Sequence, residues 1–237
     1  MKKTWLTLML LLASLNSFAL SVYAPDYLWS QSELRVCFAK GESTKRTDLA
    51  IEMKVINWSK SKREKVRRWV EEEYTPERTG VHFTGWESCE RDPKADIVLF
   101  TSPVGLFERV ISFKHIYYGL ATIGTRLGSD KLNGYPDAQG ALWLSDRGFS
   151  KSVTVHEFGH IAGLNHEHDR MEAYKDPGCV DKDVVAGGIP NYSRREGEYD
   201  PDSVMNYCKI LQGSGVRKDV GLSEADVKLL RKMYKVN

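Results

Sequence analysis

The sequence predicts an α+β fold built on a twisted, five-stranded, mostly parallel β-sheet. Three observations lead to this prediction. Five short runs of β-type residues lie between residues 33 and 145. Two helical patterns interleave with them, and this alternation is typical of largely parallel sheets with helices packed on them. After Gly163 the periodicity is lost, which indicates an irregular C-terminal subdomain that one last helix closes.

The predicted strands and the first predicted helix follow from hydrophobic periodicity. The strands are residues 33–38 (ELRVCF), 81–86 (VHFTGW), 96–100 (DIVLF), 120–124 (LATIG) and 141–145 (ALWLS). The helix, residues 61–74, carries Val66, Trp69, Val70 and Tyr74 at helical spacing. Its charges are basic first and acidic last, so we expect an amphipathic surface helix with a solvated face rather than a polyanion-binding patch.

Two further helices are predicted, one on each side of a segment without periodicity. The first covers about residues 150–164. Residues 176–215 are rich in Asp, Gly, Pro, Ser and Asn, and such long irregular segments in a compact domain are usually functional or held by a covalent bond. The last helix begins after Ser223, a good N-cap, with Asp226 at the third position and an apolar stripe behind it.

The N-terminal residues predict a cleaved secretory signal peptide, residues 1–19. Two lysines precede a short apolar run, and Ser17-Phe18-Ala19 has the pattern of a signal peptidase site. A membrane anchor would need about 20 apolar residues, so we expect a secreted or periplasmic protein with no stable membrane association. The alternative is an N-terminal helix that remains part of the protein. Removing Lys2 and Lys3 leaves 32 basic against 32 acidic side chains, which predicts no nucleic-acid partner.

The four cysteines predict two disulfides, since they form an even set in an exported chain and contain no C-x-x-C spacing. Four cysteines allow three pairings. We favour Cys37 with Cys89 and Cys179 with Cys208, so that each disulfide stays on its own side of the histidine-rich segment.

The segment VHEFGHIAGLNHEHDR, residues 155–170, carries the chemistry. On a helix, His156 and His160 lie one turn apart on the same face and can reach one metal ion. Glu157 then stands close enough to act on a water held by the metal. This is the H-E-x-x-H arrangement of zinc metalloproteases. The alternative is a set of surface histidines on a polar helix.

The motif continues beyond the helix. Gly163 lies three residues after His160, where a glycine can end the helix in a left-handed conformation. The chain can then turn and bring His166 back to the same ion. Three imidazoles and one open position are the pattern of a catalytic Zn²⁺ site rather than a structural one.

These residues resemble those of the metzincin proteases, and within them the astacin family. The resemblance rests on H-E-x-x-H-x-x-G-x-x-H, on HEHDR after the glycine, and on YDPDSVMNY, which contains the methionine of a Met-turn. It implies a metzincin-type fold divided into subdomains 20–163 and 164–237. It also implies a monomeric zinc endopeptidase that acts on proteins or peptides.

The resemblance assigns roles to individual residues. Glu157 is the general base, and Tyr207 stabilises the charge that develops on the substrate carbonyl. Met205 is a packed floor beneath the zinc ligands. Glu167 pairs with the amine of the mature N-terminus, and the strand at 120–124 is the upper rim of the cleft, where an extended substrate adds as a further strand.

The sequence also departs from the astacin pattern, and three alternatives stay open. Asn206 stands where astacins usually have histidine, and the residues after Arg170 match only in part. A matrixin-like peptidase is the first alternative, although that group usually has proline where Tyr207 stands. The others are a secreted zinc-containing binding module without activity and an exported hydrolase of non-peptide amides.

The remaining candidate residues have structural interpretations. His82 and His115 stand alone among apolar neighbours, so we expect packing roles. For His168 we expect an exposed structural role rather than a contact that supports a metal ligand. Lys209, Arg217 and Lys218 follow the Met-turn, so we expect a preference for acidic substrate side chains.

Overall fold

The computed structural model describes residues 19–41, 43–46, 51–102, 119–125, 134–146, 149–177, 179, 191, 193–212 and 215–235. Its helices are α1 (Lys60–Glu73), α2 (Pro76–Thr79), α3 (Lys151–Ile161), α4 (Tyr207–Ile210) and α5 (Glu224–Met233). Its strands are β1 (Ala19–Tyr23), β2 (Glu33–Phe38), β3 (Ser43–Arg46), β4 (Ile51–Lys54), β5 (His82–Ser88), β6 (Ile97–Ser102), β7 (Gly119–Ala121), β8 (Gly140–Ser145), β9 (Leu164–Asn165), β10 (Arg194–Gly197), β11 (Leu211–Gln212) and β12 (Gly215–Val216). Residues 1–18, which hold most of the predicted signal peptide, and His115 lie outside the described residues.

The central sheet has five strands in the order β5-β2-β6-β8-β7. The first four are parallel to one another, and β7 pairs antiparallel with β8. All residues of β6 and β8 are buried, which explains why both read as continuous apolar runs rather than as alternating patterns. The predicted sheet is confirmed, with β2 at its predicted bounds and the other strands shifted by one or more residues.

Two hydrophobic clusters cover the two faces of this sheet. On one face, Phe158 of α3 packs edge-to-face on Phe83 of β5, with ring centroids 4.7 Å apart. On the other face, Trp143 stacks on Phe100 at 4.9 Å, next to the disulfide between Cys37 and Cys89. Because all residues from 152 to 161 are buried, α3 is held as a core helix.

The helix α1 is the amphipathic surface helix that the sequence predicts. Ser59 caps it by accepting a hydrogen bond from the Lys62 amide, and Val66 and Val70 lie on its buried face. Arg67 and Glu71 form an ion pair at 2.9 Å on the exposed face. Among the described residues, no helix combines the length and apolar character that crossing a bilayer requires.

The structure contains short strands that the sequence does not predict, most of them after residue 163. The strand β1 lies between β9 and β10 in a three-stranded antiparallel sheet, and β11 pairs with β12 in a hairpin. These elements are two to five residues long, too short to produce a recognisable period. The second disulfide joins Cys179 to Cys208, so both predicted cysteine pairings are confirmed.

A buried carboxylate joins the start of the core helix to its neighbours. Glu73, at the end of α1, forms ion pairs with Lys151 at 2.7 Å and with Arg78, and accepts a hydrogen bond from the Leu222 amide at 3.2 Å. Burial raises the pKa of Glu73, but the hydrogen bonds and charges of Lys151 and Arg78 outweigh this and hold it below its usual value. The position of α3 therefore depends on an ionised Glu73.

Replacing Glu73 by Gln is expected to lower the free energy of unfolding at pH 7 by about 1.5–3 kcal/mol, because its donors lose a charged acceptor. The pKa of Glu73 is lower in the folded than in the unfolded chain. Its contribution is therefore present above the unfolded value of 4.5 and is lost as the pH falls through the folded pKa. Urea unfolding at decreasing pH should show the difference between wild type and Glu73→Gln shrink.

The matched control is Glu72→Gln. Glu72 also contacts Lys151, at 3.3 Å, but its side chain is 48% exposed. We expect a change below about 0.5 kcal/mol that varies little with pH. A difference for Glu73→Gln that stays constant down to about pH 3 would contradict this account.

Candidate metal centre

The core helix α3 presents the first two histidines and the glutamate of the motif. Ser150 caps the helix by accepting a hydrogen bond from the Val153 amide. One turn separates His156 from His160, and their rings meet edge-to-face with centroids 4.8 Å apart. Glu157 lies beside His156 and is 4% exposed. The helix thus presents two imidazoles close together and a shielded carboxylate beside the first of them.

The predicted glycine turn brings the third histidine to the first two. Gly163 has φ of 95°, in the left-handed region, and a Cβ there would lie 2.5 Å from Leu28 Cδ2. After β9, the chain returns so that His166 Nε2 lies 3.0 Å from His160 Nε2. One ring nitrogen from each of His156, His160 and His166 is available to bind a metal ion, and these three atoms all lie within 4.8 Å of one another.

Backbone carbonyls orient two of the three imidazoles. His156 Nδ1 lies 2.8 Å from the Val204 carbonyl oxygen, and His160 Nδ1 lies 2.9 Å from that of Leu164. A carbonyl only accepts, so each Nδ1 carries the proton and each Nε2 keeps a lone pair. This arrangement is common behind histidine ligands of metals.

Two observations show that these residues fit a metal ion. His156 Nε2 is buried and has no hydrogen-bond partner among the described residues, which would be costly unless a cation lay in front of it. Burial also lowers the pKa of His160 to about 4 and those of His156 and His166 well below their usual value. Three neutral imidazoles therefore converge in one place, and they could hold a metal ion.

The Met-turn packs directly beneath α3. Met205 is fully buried, and a Cβ at Gly159 would lie 2.5 Å from its sulfur, so the thioether touches the helix backbone between the two histidines. The Met205 carbonyl accepts a hydrogen bond from the Glu167 amide at 3.1 Å, just after the third histidine. Met205 thus packs against the helix that carries His156 and His160, and its role as the floor of a zinc site stays a prediction.

The expectation of an exposed His168 is wrong. His168 is 3% exposed, and its ring stacks on Tyr207 with centroids 4.2 Å apart. Its Nδ1 accepts a hydrogen bond from the Tyr207 amide at 3.2 Å. His166, His168 and Asp169 form a second group that could hold a metal ion. In this group, His168 Nδ1 already accepts the hydrogen bond from the Tyr207 amide. The Tyr207 ring lies 4.7 Å from that of His166, beside the metal-binding atoms.

The residues after the third histidine form a buried ion pair. Arg170, 2% exposed, lies 3.1 Å from Glu167 Oε1 and donates to the carbonyls of Gly197 and Glu198 at 2.6 and 3.0 Å. Burial raises the pKa of Glu167, whereas the hydrogen bond from the Asp200 amide and the charge of Arg170 lower it by less. Glu167 Oε2 is buried without a partner among the described residues. Its pairing with a mature N-terminus stays a prediction.

Asn206 occupies the position that departs from the astacin pattern. It is buried, and its side-chain amide donates to the Tyr199 hydroxyl at 2.6 Å and accepts from the Cys208 amide at 3.0 Å. The Tyr199 hydroxyl in turn donates to Asp176 at 2.8 Å. The Asn206 side chain therefore bonds to Tyr199 and Cys208, and it braces the backbone next to Tyr207.

Asp226 links the last helix to the metal centre, a connection that the sequence did not reveal. The sequence indicates Asp226 only as part of the α5 cap, and the capping box with Ser223 is present. Asp226 also accepts hydrogen bonds from Ser203 Oγ at 2.7 Å and from the Val204 amide at 3.0 Å. Because the Val204 carbonyl orients His156, Asp226 acts on a candidate metal ligand through the Met-turn.

The three basic residues after the Met-turn differ in their surroundings. Lys209 is paired with Asp202, whereas Arg217 and Lys218 are exposed. The suggested preference for acidic substrates therefore depends on the latter two. His82, 3.5 Å from Glu33, lies on an edge strand away from the histidine cluster, in agreement with its packing role.

The fold and the histidine motif that it brings together resemble those of the astacin-like metzincins. Bone morphogenetic protein 1 of Xenopus laevis is 31% identical to the chain over a match that covers 35% of this chain and 15% of that protein. Zinc metalloproteinase nas-39 of Caenorhabditis elegans is 30% identical over 35% of this chain and 12% of its own length. The chain thus spans only a small part of these relatives.

The similarity among solved structures extends over most of the chain. The structure of myroilysin has a TM-score of 0.54 and 17% sequence identity, and the match covers 92% of this chain and 100% of that one. At this identity the match shows the shared fold alone. No family model matches the chain. The predicted α+β metzincin fold is confirmed.

The Asp226→Asn variant is expected to fold and to lose affinity for Zn²⁺ by about 10- to 100-fold, because the Val204 amide loses its charged acceptor and the carbonyl behind His156 is held less firmly. Competition with a chromophoric zinc chelator measures this affinity directly.

Ser223→Ala is the control, since it removes the capping hydroxyl but leaves the Asp226 contact with Val204 intact. We expect it to lower the stability of the protein and to leave zinc affinity within about threefold. Equal affinity losses in the two variants would mean that fraying of α5, rather than the Met-turn contact, weakens the site.

Proposed function

We propose that the protein is an exported zinc-dependent endopeptidase with an active site formed by the end of α3 and the Met-turn. The convergence of His156, His160 and His166 Nε2 atoms beside the shielded carboxylate of Glu157 carries this proposal. In it, residues 1–19 are a signal peptide, residues 20–163 and 164–237 are two subdomains, and the mature monomer is secreted or periplasmic.

The three histidines would hold Zn²⁺, since three neutral imidazoles with an open fourth position are the usual ligands of catalytic zinc. Bound there, the metal would supply a Lewis acid that polarises a carbonyl and lowers the pKa of water to about 7. Neutral imidazoles are available at physiological pH because burial holds the pKa of each far below 7.

Glu157 moves the proton in this mechanism. Glu157 follows His156 directly on the same helix, so its carboxylate would be within reach of a water held by the metal, and its burial would keep other water away. The carboxylate takes a proton from the attacking water and later returns it to the amine of the leaving peptide. Both transfers need only one oxygen atom of one side chain.

Tyr207 stabilises the carbonyl oxygen of the substrate as negative charge develops on it. The stacked ring of His168 and the hydrogen bond from the Tyr207 amide to His168 hold the tyrosine beside His166. Its phenolic hydroxyl is a neutral donor, so it needs no proton transfer to perform this role.

The substrate binds as an extended strand along β7. Among the described strands, β7 lies at the edge of the sheet and is paired on one side with β8. Backbone groups on its other side are those that an added peptide strand would use, and pairing of this kind depends little on side chains. A peptide or protein is therefore the substrate class proposed.

The proposal is tested by incubating the purified chain with a denatured proteome, with and without a zinc chelator, and mapping new termini by mass spectrometry. Cleavage sites that require the metal support an endopeptidase and define its preference. Bound zinc without cleavage would favour a binding module, and activity only on non-peptide amides would favour another hydrolase.

Glu157→Gln is expected to bind zinc with unchanged stoichiometry and to lose turnover by at least about 10²-fold, because the amide cannot accept the proton of the attacking water. The measurements are metal content and kcat on a peptide chosen from the mapped sites. Glu172→Gln, which changes an exposed carboxylate, should behave like wild type. Retained turnover in Glu157→Gln would refute the general-base role.

Tyr207→Phe is expected to lower kcat by about 10²-fold with little change in KM, because it removes a donor used mainly in the transition state but keeps the ring on His168. Steady-state kinetics on the same peptide measure both constants. The control is Tyr174→Phe, at a position that is 43% exposed. A rise in KM alone would assign Tyr207 to substrate binding instead.

A further inference from the structure

The edge strand β7 touches the catalytic carboxylate at a glycine. A Cβ built on Gly119 would lie 2.5 Å from Glu157 Oε1, 2.7 Å from its Cγ and 2.8 Å from its Cδ. Real Cβ atoms do not approach other heavy atoms this closely, so the side chain of Glu157 fills the space that any residue other than glycine would need.

The backbone conformation does not explain this glycine. Gly124, a few residues later, has φ of 50° and therefore a reason to lack a side chain, but Gly119 is not among the described glycines with positive φ. An alanine could adopt the backbone geometry of Gly119. The contact with Glu157 is what excludes it.

The pleat of β7 points position 119 at the helix that carries the motif. Leu120 packs against the cluster that contains Phe100 and Trp143, on the sheet face away from α3. Ala121 packs against the cluster that contains Phe158, on the face that α3 covers. Successive residues alternate between faces, so Gly119 shares the face of Ala121 and lies over Glu157.

We propose that Gly119 is a positioning residue that fixes the Glu157 carboxylate between β7 and α3. The inference rests on the proposed peptidase function, because it concerns the general base of that reaction. With only hydrogen atoms at position 119, the strand closes one side of the space around the carboxylate and limits its rotamers. The same strand is the edge to which the substrate is proposed to add, so β7 would contact both the substrate and the general base.

The groups that an added methyl would meet determine its effect. All three nearest atoms belong to the side chain of Glu157, and none belongs to the backbone. A side chain can turn to another rotamer, at a cost much smaller than moving a helix. In Gly119→Ala the fold and the three histidines therefore persist, whereas the carboxylate is displaced. A displacement of about 1 Å lowers catalysis by about 10²-fold.

The first measurement compares Gly119→Ala with wild type for zinc content, kcat and KM. We expect full zinc content, a thermal midpoint within a few degrees of wild type, a fall in kcat of about 10²-fold and a KM within about threefold. The matched control is Gly140→Ala in β8, where a Cβ would meet Trp29, Ile97 and Ile161 at 3.2–3.4 Å, away from Glu157. It should change stability and leave kcat unaltered.

The second measurement is a double-mutant cycle on stability, which needs no activity. In zinc-loaded protein, Gly119→Ala is combined with Glu157→Ala, which removes the three atoms that lie nearest to the added methyl. We expect the effect of Gly119→Ala on the urea midpoint to disappear in the Glu157→Ala background, whereas Gly140→Ala keeps its effect in both.

Each outcome distinguishes this inference from the proposed function. An active wild type, a selective fall in kcat and coupling to Glu157 support the positioning role. An unchanged kcat, or an equal effect of Gly119→Ala in both backgrounds, overturns it and leaves the peptidase proposal intact. An inactive wild type refutes the peptidase proposal, and the positioning role falls with it even if the stability coupling remains.

Discussion

The contact between His156 Nδ1 and the Val204 carbonyl joins the core helix to the Met-turn, two segments 48 residues apart in the sequence. It fixes which nitrogen of His156 faces the other two histidines, and it exists only if both segments are correctly placed. The Glu73 network anchors the first segment at Lys151, and Asp226 anchors the second at Val204. The geometry of the candidate metal centre thus depends on burial and polar contacts well outside it.

Three glycines in the site allow neighbouring groups to approach the backbone more closely than a side chain would permit. Gly159 admits the Met205 sulfur, Gly163 turns the chain around Leu28, and Gly119 admits the Glu157 carboxylate. Each glycine lies where two elements meet more closely than a Cβ would permit. Only Gly163 among the three needs a left-handed backbone, so close packing explains more of these glycines than conformational freedom does.

Local patterns predicted the central features, and nonlocal pairing explains the rest. Strand β2 and the three histidines follow from hydrophobic period and motif spacing, which are properties of short segments. Strand β1 was missed because its partners, β9 and β10, are more than 140 residues away. The burial of His168 depends on stacking with Tyr207, and the second role of Asp226 depends on a turn 22 residues before it. Neither leaves a local signal in the sequence.

The second disulfide ties Cys179 to Cys208, the residue that directly follows Tyr207. Disulfides form and persist in oxidising compartments, by a reaction separate from folding itself. The covalent tether behind Tyr207 is therefore added in a separate step of assembly. A chain kept in a reducing compartment would carry all three histidines and Glu157 without this tether, so the redox state of its surroundings governs how firmly the last part of the site is held.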